Sequence, residues 1–180
     1  DAVNRAKEYF SSHENGEFLW NCKPRFGKTL AVYDLAAKID AEKVLVVTNR
    51  PSIANSWLAD FCKFIRGDHF SYFASNTSAL KDRSYVVGSD SALLIGASYI
   101  EFESLQDLKG SVYFGGRYDK YKKIKDTDWD LLVIDEAHEG IDTYKTDVLF
   151  DHIQRKHTLH LSGTPFKALA SDKFSSDAIY

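Results

Sequence analysis

The chain has 180 residues, of which 44% are hydrophobic and 27% charged, a composition that suits one globular domain and excludes a disordered, collagen-like or disulfide-scaffold protein. Its formal net charge of −3 does not indicate a nucleic-acid binder, so any such binding must come from local patches. The two cysteines match no zinc spacing and predict a reducing cytoplasmic setting, and no apolar run reaches the ~20 residues of a membrane span.

Strand and helix signals alternate in the first third of the chain. Residues 18–20 are a short apolar run that predicts a strand, and the apolar spacing over residues 30–36 predicts the helix that follows. A second run, residues 44–47, is apolar on both faces, as expected of a strand buried inside a parallel sheet. Pro51 then marks the start of a helix whose apolar residues recur at helical spacing.

The alternation continues in the rest of the chain. Residues 131–134 predict another buried strand, and Thr146 is a candidate cap for the helix after it. Weaker runs predict three more strands, at residues 69–73, 97–102 and 157–162. Strands that alternate with helices require crossover connections, so the sequence predicts an α/β fold of three layers with a mainly parallel central sheet.

Three polar stretches interrupt this pattern. Residues 74–88 lack a clear period and predict a surface excursion, and residues 171–180 predict the start of a linker. Five cations at residues 117–125 are mixed with Tyr118 and Tyr121, which would suit nucleic-acid binding. Nearby aspartates dilute that charge, so a solvated loop is the favoured interpretation.

The strongest chemical signal is positional. Gly27, Lys28 and Thr29 lie between the predicted strand at 18–20 and the next helix, which is the layout of a phosphate-binding loop. In such a loop, backbone N–H groups face the phosphates, Lys28 reaches their β and γ oxygens, and the Thr29 hydroxyl binds Mg²⁺. The match is incomplete, because Cys22 stands where the full pattern has glycine.

A second signal follows the predicted strand at residues 131–134. Asp135 and Glu136 are adjacent carboxylates at the carboxyl end of that strand, where burial is costly unless they serve a cation or a reaction. We expect Asp135 to hold Mg²⁺, largely through water, and Glu136 to orient and deprotonate the attacking water. His138 would couple this site to another part of the molecule.

A third signal is the turn Ser162-Gly163-Thr164, which precedes a proline and follows the last predicted strand. Its hydroxyls can bond the glutamate or histidine of the Asp-Glu-Ala-His segment if the two strands are neighbours in the sheet. We therefore expect these three residues to couple the nucleotide site to the rest of the protein.

These motifs, in this order, resemble the first motor domain of a superfamily 2 helicase or translocase of the DEAH/ResIII type. Within that group, residues 23–29 (KPRFGKT) and 129–140 (WDLLVIDEAHEG) are most similar to motor subunits of bacterial restriction-type systems. The resemblance implies a RecA-like P-loop NTPase fold, ATP hydrolysis with Mg²⁺, and movement on nucleic acid, most often double-stranded DNA. It also implies that ATP contacts the loop residues Lys23, Pro24, Arg25, Phe26, Gly27, Lys28, Thr29 and Leu30.

Two further stretches carry the resemblance more weakly. Residues 44–57 are similar to a family motif whose loop touches the nucleic-acid backbone, and Arg50 matches a commonly basic position in it. Residues 98–106 are similar to a second such stretch, in which Ser104 and Gln106 are candidates for backbone contact.

The resemblance also predicts the organisation of the protein. Residues 1–170 would form the first motor domain, and residues 171–180 would begin a linker to a second motor domain that supplies arginine fingers and the other wall of the ATP cleft. A glutamine that reads adenine would fall just upstream of Asp1. Nuclease or methyltransferase modules would be attached in the full-length protein.

Two other classes of function stay open at this point. A nucleotide-dependent switch or signalling ATPase would use the same phosphate-binding loop, but the pairing of Asp-Glu-Ala-His with Ser-Gly-Thr-Pro argues against it. A structural domain with a dead nucleotide site is disfavoured by the intact Lys28, Thr29, Asp135 and Glu136. The leading hypothesis is an ATP-driven nucleic-acid motor domain that needs the rest of the protein for full activity.

Overall fold

A computed structural model describes residues 1–23, 27–135, 148–163 and 174–180. Seven parallel strands form one sheet in the order β1-β7-β6-β2-β5-β3-β4. The strands are β1 Glu17–Asn21, β2 Lys43–Thr48, β3 Tyr72–Ala74, β4 Val86–Val87, β5 Tyr99–Ser104, β6 Trp129–Asp135 and β7 Arg155–Ser162. The helices are α1 Ala2–Ser12, α2 Lys28–Lys38, α3 Ala54–Asp60, α4 Leu105–Lys109 and α5 Lys122–Asp126, and residues 148–151 are also helical.

β2 shows why the sheet is covered on both faces. Val44 and Val46 point into one hydrophobic core, whereas Leu45 and Val47 point into another, and all four are buried. The first core lies against α1, α2 and α3, and the second lies against α4, α5 and residues 148–153. The predicted three-layer α/β architecture is therefore confirmed, and the sheet is parallel throughout.

All six predicted strands are present, and one of them begins clearly later than expected. The strand expected at 69–73 begins only at Tyr72, because the preceding residues form a turn around Gly67, whose φ is 82°. In that turn, a ring nitrogen of His69 is hydrogen-bonded to the Ala41 carbonyl at 2.7 Å. The helix predicted from Pro51 begins as a 3₁₀ turn, continues as α3 and ends in a π-helical turn.

The surface excursion expected at residues 74–88 is wrong in part. The segment contributes the edge strand β4, and it buries the polar side chains of Ser75 and Thr77. The Ser75 hydroxyl donates to the Phe102 carbonyl at 2.5 Å, and the Arg83 guanidinium donates to the carbonyls of Ser75 and Thr77. These hydrogen bonds satisfy the polar groups and so allow a polar segment to be buried. The hydrophobic periodicity of a sequence does not show such hydrogen bonds, so it could not predict this burial.

The solvated loop expected at residues 117–125 is also wrong in part. Arg117 and Tyr118 are exposed, but Tyr121 is buried, and the Lys123 ammonium reaches a buried carboxylate on β5. The segment is therefore fastened to the sheet at its carboxyl-terminal end.

The last residues of the chain lie alongside the edge strand β1. The Tyr180 N–H donates to the Leu19 carbonyl at 2.9 Å, and the Asn21 N–H donates to the Tyr180 carbonyl at 2.7 Å. The linker role of residues 171–180 stays a prediction, and the predicted cap Thr146 lies outside the described residues. None of the helices within the described ranges is long and apolar enough to cross a membrane.

Candidate functional site

The site predicted from sequence lies where three neighbouring strands end. β1, β7 and β6 are adjacent in the sheet, and parallel strands bring their carboxyl ends to one edge. The register pairs Asn21 with Ser162 and Asp135 with Leu161, and the Cys22 N–H donates to the Ser162 carbonyl at 2.7 Å. The adjacency of β6 and β7, on which the coupling prediction depends, is confirmed.

The start of α2 is shaped by Gly27. Its φ of 73° is a left-handed conformation that glycine adopts without the Cβ strain of other residues. Gly27 is the N-cap of α2 and has no side chain to occupy the first N–H groups of the helix. An anion such as phosphate fits this position, because those N–H groups and the helix dipole favour negative charge.

Lys28 reaches across the sheet edge to Asp135. The Lys28 Nζ donates to Asp135 Oδ1 at 3.0 Å, although 107 residues separate the two in the chain. The Asp135 side chain is 0% exposed, whereas the Lys28 side chain is 31% exposed. A buried carboxylate needs a charged or hydrogen-bonding partner, so this ion pair stabilises Asp135 while the ammonium group stays partly open to solvent.

Thr29 and Asp135 have the donor atoms that Mg²⁺ prefers. Thr29 follows Lys28 in the first turn of α2, and its hydroxyl and the Asp135 carboxylate are hard oxygen donors. Within the described ranges, no group of three or more His, Cys, Asp or Glu side chains could hold a metal by itself. The oxygens of Thr29 and Asp135 have the chemistry to hold Mg²⁺ that is shared with phosphate oxygens, which is how this ion commonly binds with nucleotides.

The other predicted nucleotide-site residues differ in exposure. Lys23 and Gly163 are exposed, and Leu30, in the first turn of α2, is 39% exposed. Ser162, the last residue of β7, is buried. Six predicted residues lie outside the described ranges: Pro24, Arg25, Phe26, Glu136, His138 and Thr164.

The three candidate nucleic-acid residues lie at the carboxyl ends of β2 and β5, at the same sheet edge. Arg50 and Gln106 are exposed, and the Arg50 N–H donates to the Thr48 hydroxyl at 3.0 Å. Ser104 is buried, and its hydroxyl accepts the Asp107 N–H at 3.1 Å as the N-cap of α4. Contact of all three with nucleic acid stays a prediction, and in this structure the Ser104 hydroxyl starts a helix.

Sequence reasoning missed a buried acidic network on β5. Glu101 and Glu103 are 0% exposed, although carboxylates are rarely fully buried. Glu101 accepts from the Lys123 ammonium at 2.8 Å and from the Ser89 hydroxyl at 2.6 Å, and Glu103 accepts the Asn76 N–H at 2.8 Å. The two carboxylates therefore tie three separate segments to one strand.

Burial sets the charge states in this network. It raises the pKa of Glu103 well above its ordinary value, and the neighbouring Glu101 charge raises it further. Burial also raises the pKa of Glu101, but Lys123 opposes that change. Burial lowers the pKa of Lys123, but its interactions with Glu101 and Tyr99 together raise it by more. Glu101 and Lys123 form an ion pair at 2.8 Å, while burial disfavours the charged form of Glu103.

The sequence carries only a weak signal for this network. Glu101 and Glu103 alternate with the apolar Ile100 and Phe102, which is also the pattern of a strand with one face in water. Their cationic partner Lys123 lies 22 residues away from Glu101. The alternation could have indicated two carboxylates on one face, but not what covers them.

Comparisons with known proteins agree on one type of domain. A family model described as "Type III restriction enzyme, res subunit" matches residues 1–167. Over 97% of its length, the chain is 27% identical to a putative type II restriction enzyme and methyltransferase (C-terminus) of Mycoplasma pneumoniae. The chain spans 29% of the length of that relative.

Two solved structures share the fold. The SWI2/SNF2 ATPase core of Sulfolobus solfataricus in complex with double-stranded DNA matches with a TM-score of 0.64 and 20% identity, over 96% of this chain and 32% of that one. The UvsW helicase of bacteriophage T4 matches with a TM-score of 0.56 and 14% identity, over 84% of this chain and 48% of that one. These matches confirm the RecA-like fold that the sequence resemblance implies.

Proposed function

Because the chain belongs to the family described as the res subunit of type III restriction enzymes, we propose that it is the ATP-binding and hydrolysing motor domain of a superfamily 2 DNA helicase or translocase. Its place is in a bacterial restriction-modification or related defence enzyme, alongside a second motor domain and a nuclease or methyltransferase module. The restriction enzyme and methyltransferase from Mycoplasma pneumoniae supports this choice. We place the protein in the cytoplasm, because two cysteines are too few for a disulfide framework.

One observation carries the proposal. The 3.0 Å contact between Lys28 and Asp135 joins the start of α2 to the carboxyl end of β6. A glycine-started helix, a lysine and a buried carboxylate at one sheet edge supply an anion site, a half-buried cation and a hard oxygen donor. This combination fits the phosphates of a nucleotide.

The proposed mechanism divides the work among neighbouring residues. The N–H groups at the start of α2 receive the phosphates, and Lys28 exchanges its contact with Asp135 for the β and γ oxygens. Thr29 and Asp135 hold Mg²⁺, which when bound neutralises phosphate charge. Glu136, directly after Asp135, orients the attacking water and accepts its proton.

The remaining predicted residues are assigned two tasks: to couple the nucleotide site to the rest of the protein, and to bind the DNA along which the motor moves (the track). Ser162 and Gly163 lie at the carboxyl end of β7, which is between β1 and β6 in the sheet. We assign them, together with Thr164 and His138, the coupling of the nucleotide site to the rest of the protein. The candidate nucleic-acid residues lie at the ends of β2 and β5 at the same edge, so the DNA backbone would cross it. The bound duplex in the SWI2/SNF2 structure supports double-stranded DNA as the track.

The first test is Lys28→Ala. We expect nucleotide binding to be lost or severely weakened, because the substitution removes the one fixed positive charge assigned to the β and γ phosphates. Titration of a fluorescent ATP analogue into both proteins measures this. Lys38→Ala is the matched control, since Lys38 lies in the same helix but pairs with Asp34 at 3.1 Å. Equal affinities of Lys28→Ala and wild type for the ATP analogue would show that Lys28 is not part of the nucleotide site.

The second test is Glu136→Gln in the full-length protein. We expect ATP binding to persist and hydrolysis to fall by about 10²–10⁴-fold, because glutamine can orient water but cannot accept its proton. Steady-state phosphate release with and without duplex DNA measures the effect, with the exposed Glu14→Gln as control. Turnover near the wild-type rate would place the general base elsewhere. If the wild-type rate of phosphate release is the same with and without duplex DNA, the nucleotide-dependent switch is favoured instead.

A further inference from the structure

The loop of residues 110–121 is held together by its own hydrogen bonds. The N–H groups of Arg117 and Tyr118 donate to the Gly110 carbonyl at 3.0 and 2.9 Å, and the Ser111 hydroxyl donates to the Lys120 carbonyl. These bonds bring the two ends of the loop together, as in a compact Ω-loop. The loop is therefore a defined structure rather than a solvated connection.

Both ends of this loop are fastened to β5. Its first end continues α4, which begins directly after β5. At the other end, Tyr121 is buried in a left-handed conformation with a φ of 63°, and its hydroxyl lies beside Glu103. Two residues later, Lys123 pairs with the buried Glu101. The buried Glu101 charge and the positive φ of Tyr121 both cost free energy. That the fold contains both at this end of the loop indicates that the loop has to be held in one position.

The loop presents an aromatic ring and cations to solvent. Tyr118 is 68% exposed. Arg117, its neighbour in the chain, is also exposed, and so is Lys122, the first residue of α5 after the loop. The Lys120 ammonium lies 5.6 Å from the centre of the Tyr118 ring and 3.5 Å from Asp107, in the first turn of α4. This last contact places the loop beside the sheet edge that carries the candidate nucleic-acid residues.

The local charge identifies the chemistry of a partner. Residues 105–126 contain six cations and three carboxylates, whereas the whole chain has a net charge of −3. One of those carboxylates, Asp107, already pairs with Lys120, and another, Asp119, accepts the Tyr113 hydroxyl at 2.8 Å. An exposed aromatic ring with exposed cations close to it in the chain, on an otherwise acidic protein, matches a polyanion that has flat rings, which is a nucleic-acid strand.

We propose that the loop of residues 110–121 is an additional nucleic-acid contact. The Tyr118 ring packs on a base or sugar, and Arg117 and Lys122 bind neighbouring phosphates. Glu101 and Glu103 are positioning residues that hold the loop against β5. This inference rests on the proposed function, because it extends the DNA track assigned to the same sheet edge.

The test uses Tyr118→Ala and Arg117→Ala in the full-length protein. Fluorescence anisotropy with a duplex and a single-stranded oligonucleotide of the same sequence, over a salt series, measures the affinity. We expect Tyr118→Ala to weaken binding about tenfold with an unchanged salt dependence. We expect Arg117→Ala to lower the slope of log affinity against log salt by roughly one, the value for one lost phosphate contact. A larger loss on the single strand identifies base contact, and an equal loss on both identifies sugar contact.

A second tyrosine and arginine supply the matched controls. The Arg66 guanidinium lies 4.0 Å from the centre of the exposed Tyr85 ring. Arg66 precedes β3 and Tyr85 precedes β4, so both lie toward the amino ends of the strands, away from the candidate nucleic-acid residues. Tyr85→Ala and Arg66→Ala should leave both affinity and salt slope unchanged. Binding of an ATP analogue should be unchanged in all four variants, which shows that the fold is intact.

The outcomes separate this inference from the proposed function. Wild-type protein that binds DNA no more tightly than Tyr118→Ala and Arg117→Ala overturns the loop contact and leaves the motor proposal standing. Loss of ATP-analogue binding together with DNA binding in Tyr118→Ala would mean that the loop acts through the fold, which also overturns the inference. Wild-type protein that binds neither oligonucleotide overturns both proposals.

Discussion

Two buried carboxylates in this protein have opposite surroundings. Asp135 ends β6 with the Lys28 ammonium at 3.0 Å, so a cation is available to stabilise its charged form. Glu103 lies on β5 beside a second carboxylate, Glu101, whose charge is already paired with Lys123. The same chemical group is therefore paired with a cation in one place and lies beside another carboxylate in the other.

At the scale of single residues, the prediction concerns Glu103→Gln. Burial raises the pKa of Glu103, so the folded state holds its proton more tightly than the unfolded state does. The associated stability is present at low pH and is lost as the pH rises from the unfolded value near 4.5 toward the folded value. Glutamine is neutral and can still accept the Asn76 N–H, so the variant should be more stable than wild type at neutral pH, by about 1 kcal/mol or more.

Urea unfolding of both proteins at a series of pH values from about 4 to about 8 measures this difference, because the series starts near the ordinary carboxyl pKa and extends well above it. The gain should shrink toward pH 4, where wild-type Glu103 is protonated in both states. The other groups facing this site are Glu101, Lys123 and Tyr121, and they are unchanged in the variant. A stability difference that does not vary with pH would show that Glu103 is ionised in the folded protein.

At the scale of elements, short segments at the carboxyl edge present the candidate chemistry. Gly27 starts α2 without a capping side chain, and Ser104 starts α4 with one. The open start of α2 suits the proposed nucleotide site, since a phosphate can take the place of a cap there, whereas the Asp107 N–H at the start of α4 already has the Ser104 hydroxyl as a partner. α4 has only five residues, so the loop that follows it remains close to the same edge.

Gly116 is the residue that sets the shape of this loop. A Cβ added there would lie 2.3 Å from the Gly110 carbonyl carbon and 2.4 Å from the Lys109 oxygen, both backbone atoms that cannot rotate away. We expect Gly116→Ala to lower the free energy of unfolding by about 1–3 kcal/mol through overpacking. It should also weaken DNA binding if the loop contacts DNA.

Gly88→Ala is the control for this prediction. Its Cβ would meet only the Asn76 side chain at 3.6 Å, an ordinary contact, so a change within about 0.5 kcal/mol is expected. Chemical denaturation of the two variants and wild type measures both effects. Equal stabilities of Gly116→Ala and wild type would show that the loop relaxes freely and is not a rigid platform.

At the scale of the whole molecule, the sheet order separates the proposed tasks. β1, β7 and β6 lead into the residues of the proposed nucleotide site, while β2 and β5 lead into the candidate nucleic-acid residues. β6 and β2 are adjacent, with Asp135 in register with Thr48. The two groups of residues therefore share one edge of one sheet, and a movement at the nucleotide site has a short path to the proposed DNA track.

The prediction at this scale concerns residues 1–180 alone. We expect them to fold, since they form one seven-stranded sheet with a hydrophobic core on each face. They should bind Mg-ATP weakly and hydrolyse it very slowly, because the family resemblance assigns the adenine-reading glutamine and the arginine fingers to other parts of the protein. An arginine finger by itself is worth about 10³–10⁵ in rate.

Circular dichroism reports the folding of residues 1–180, and steady-state phosphate release with and without duplex DNA reports the turnover. Lys28→Ala in the same residues supplies the background rate. Robust DNA-stimulated turnover by these residues would mean that the catalytic site is complete in one domain, and the two-domain motor hypothesis would then be wrong.

The sequence by itself determined the features that are local in the chain. Runs that are apolar on both faces, such as residues 44–47 and 131–134, can only be buried in a covered sheet, so they predict parallel strands and three layers. The motifs around Lys28 and Asp135 each occupy one strand end, so their order along the chain was enough to indicate the restriction-type family that the family model matches.

Only the tertiary structure decided the features that depend on distant residues. The 3.0 Å contact between Lys28 and Asp135 follows from the order of the strands, and no local pattern encodes that order. Likewise, the alternation around Glu101 and Glu103 is the same whether water or protein covers their face. Lys123 of α5 covers this face and pairs with Glu101, and both carboxylates are buried. The environment of a side chain is set by what packs on it from elsewhere in the chain, so only the structure shows that these carboxylates hold other segments to β5.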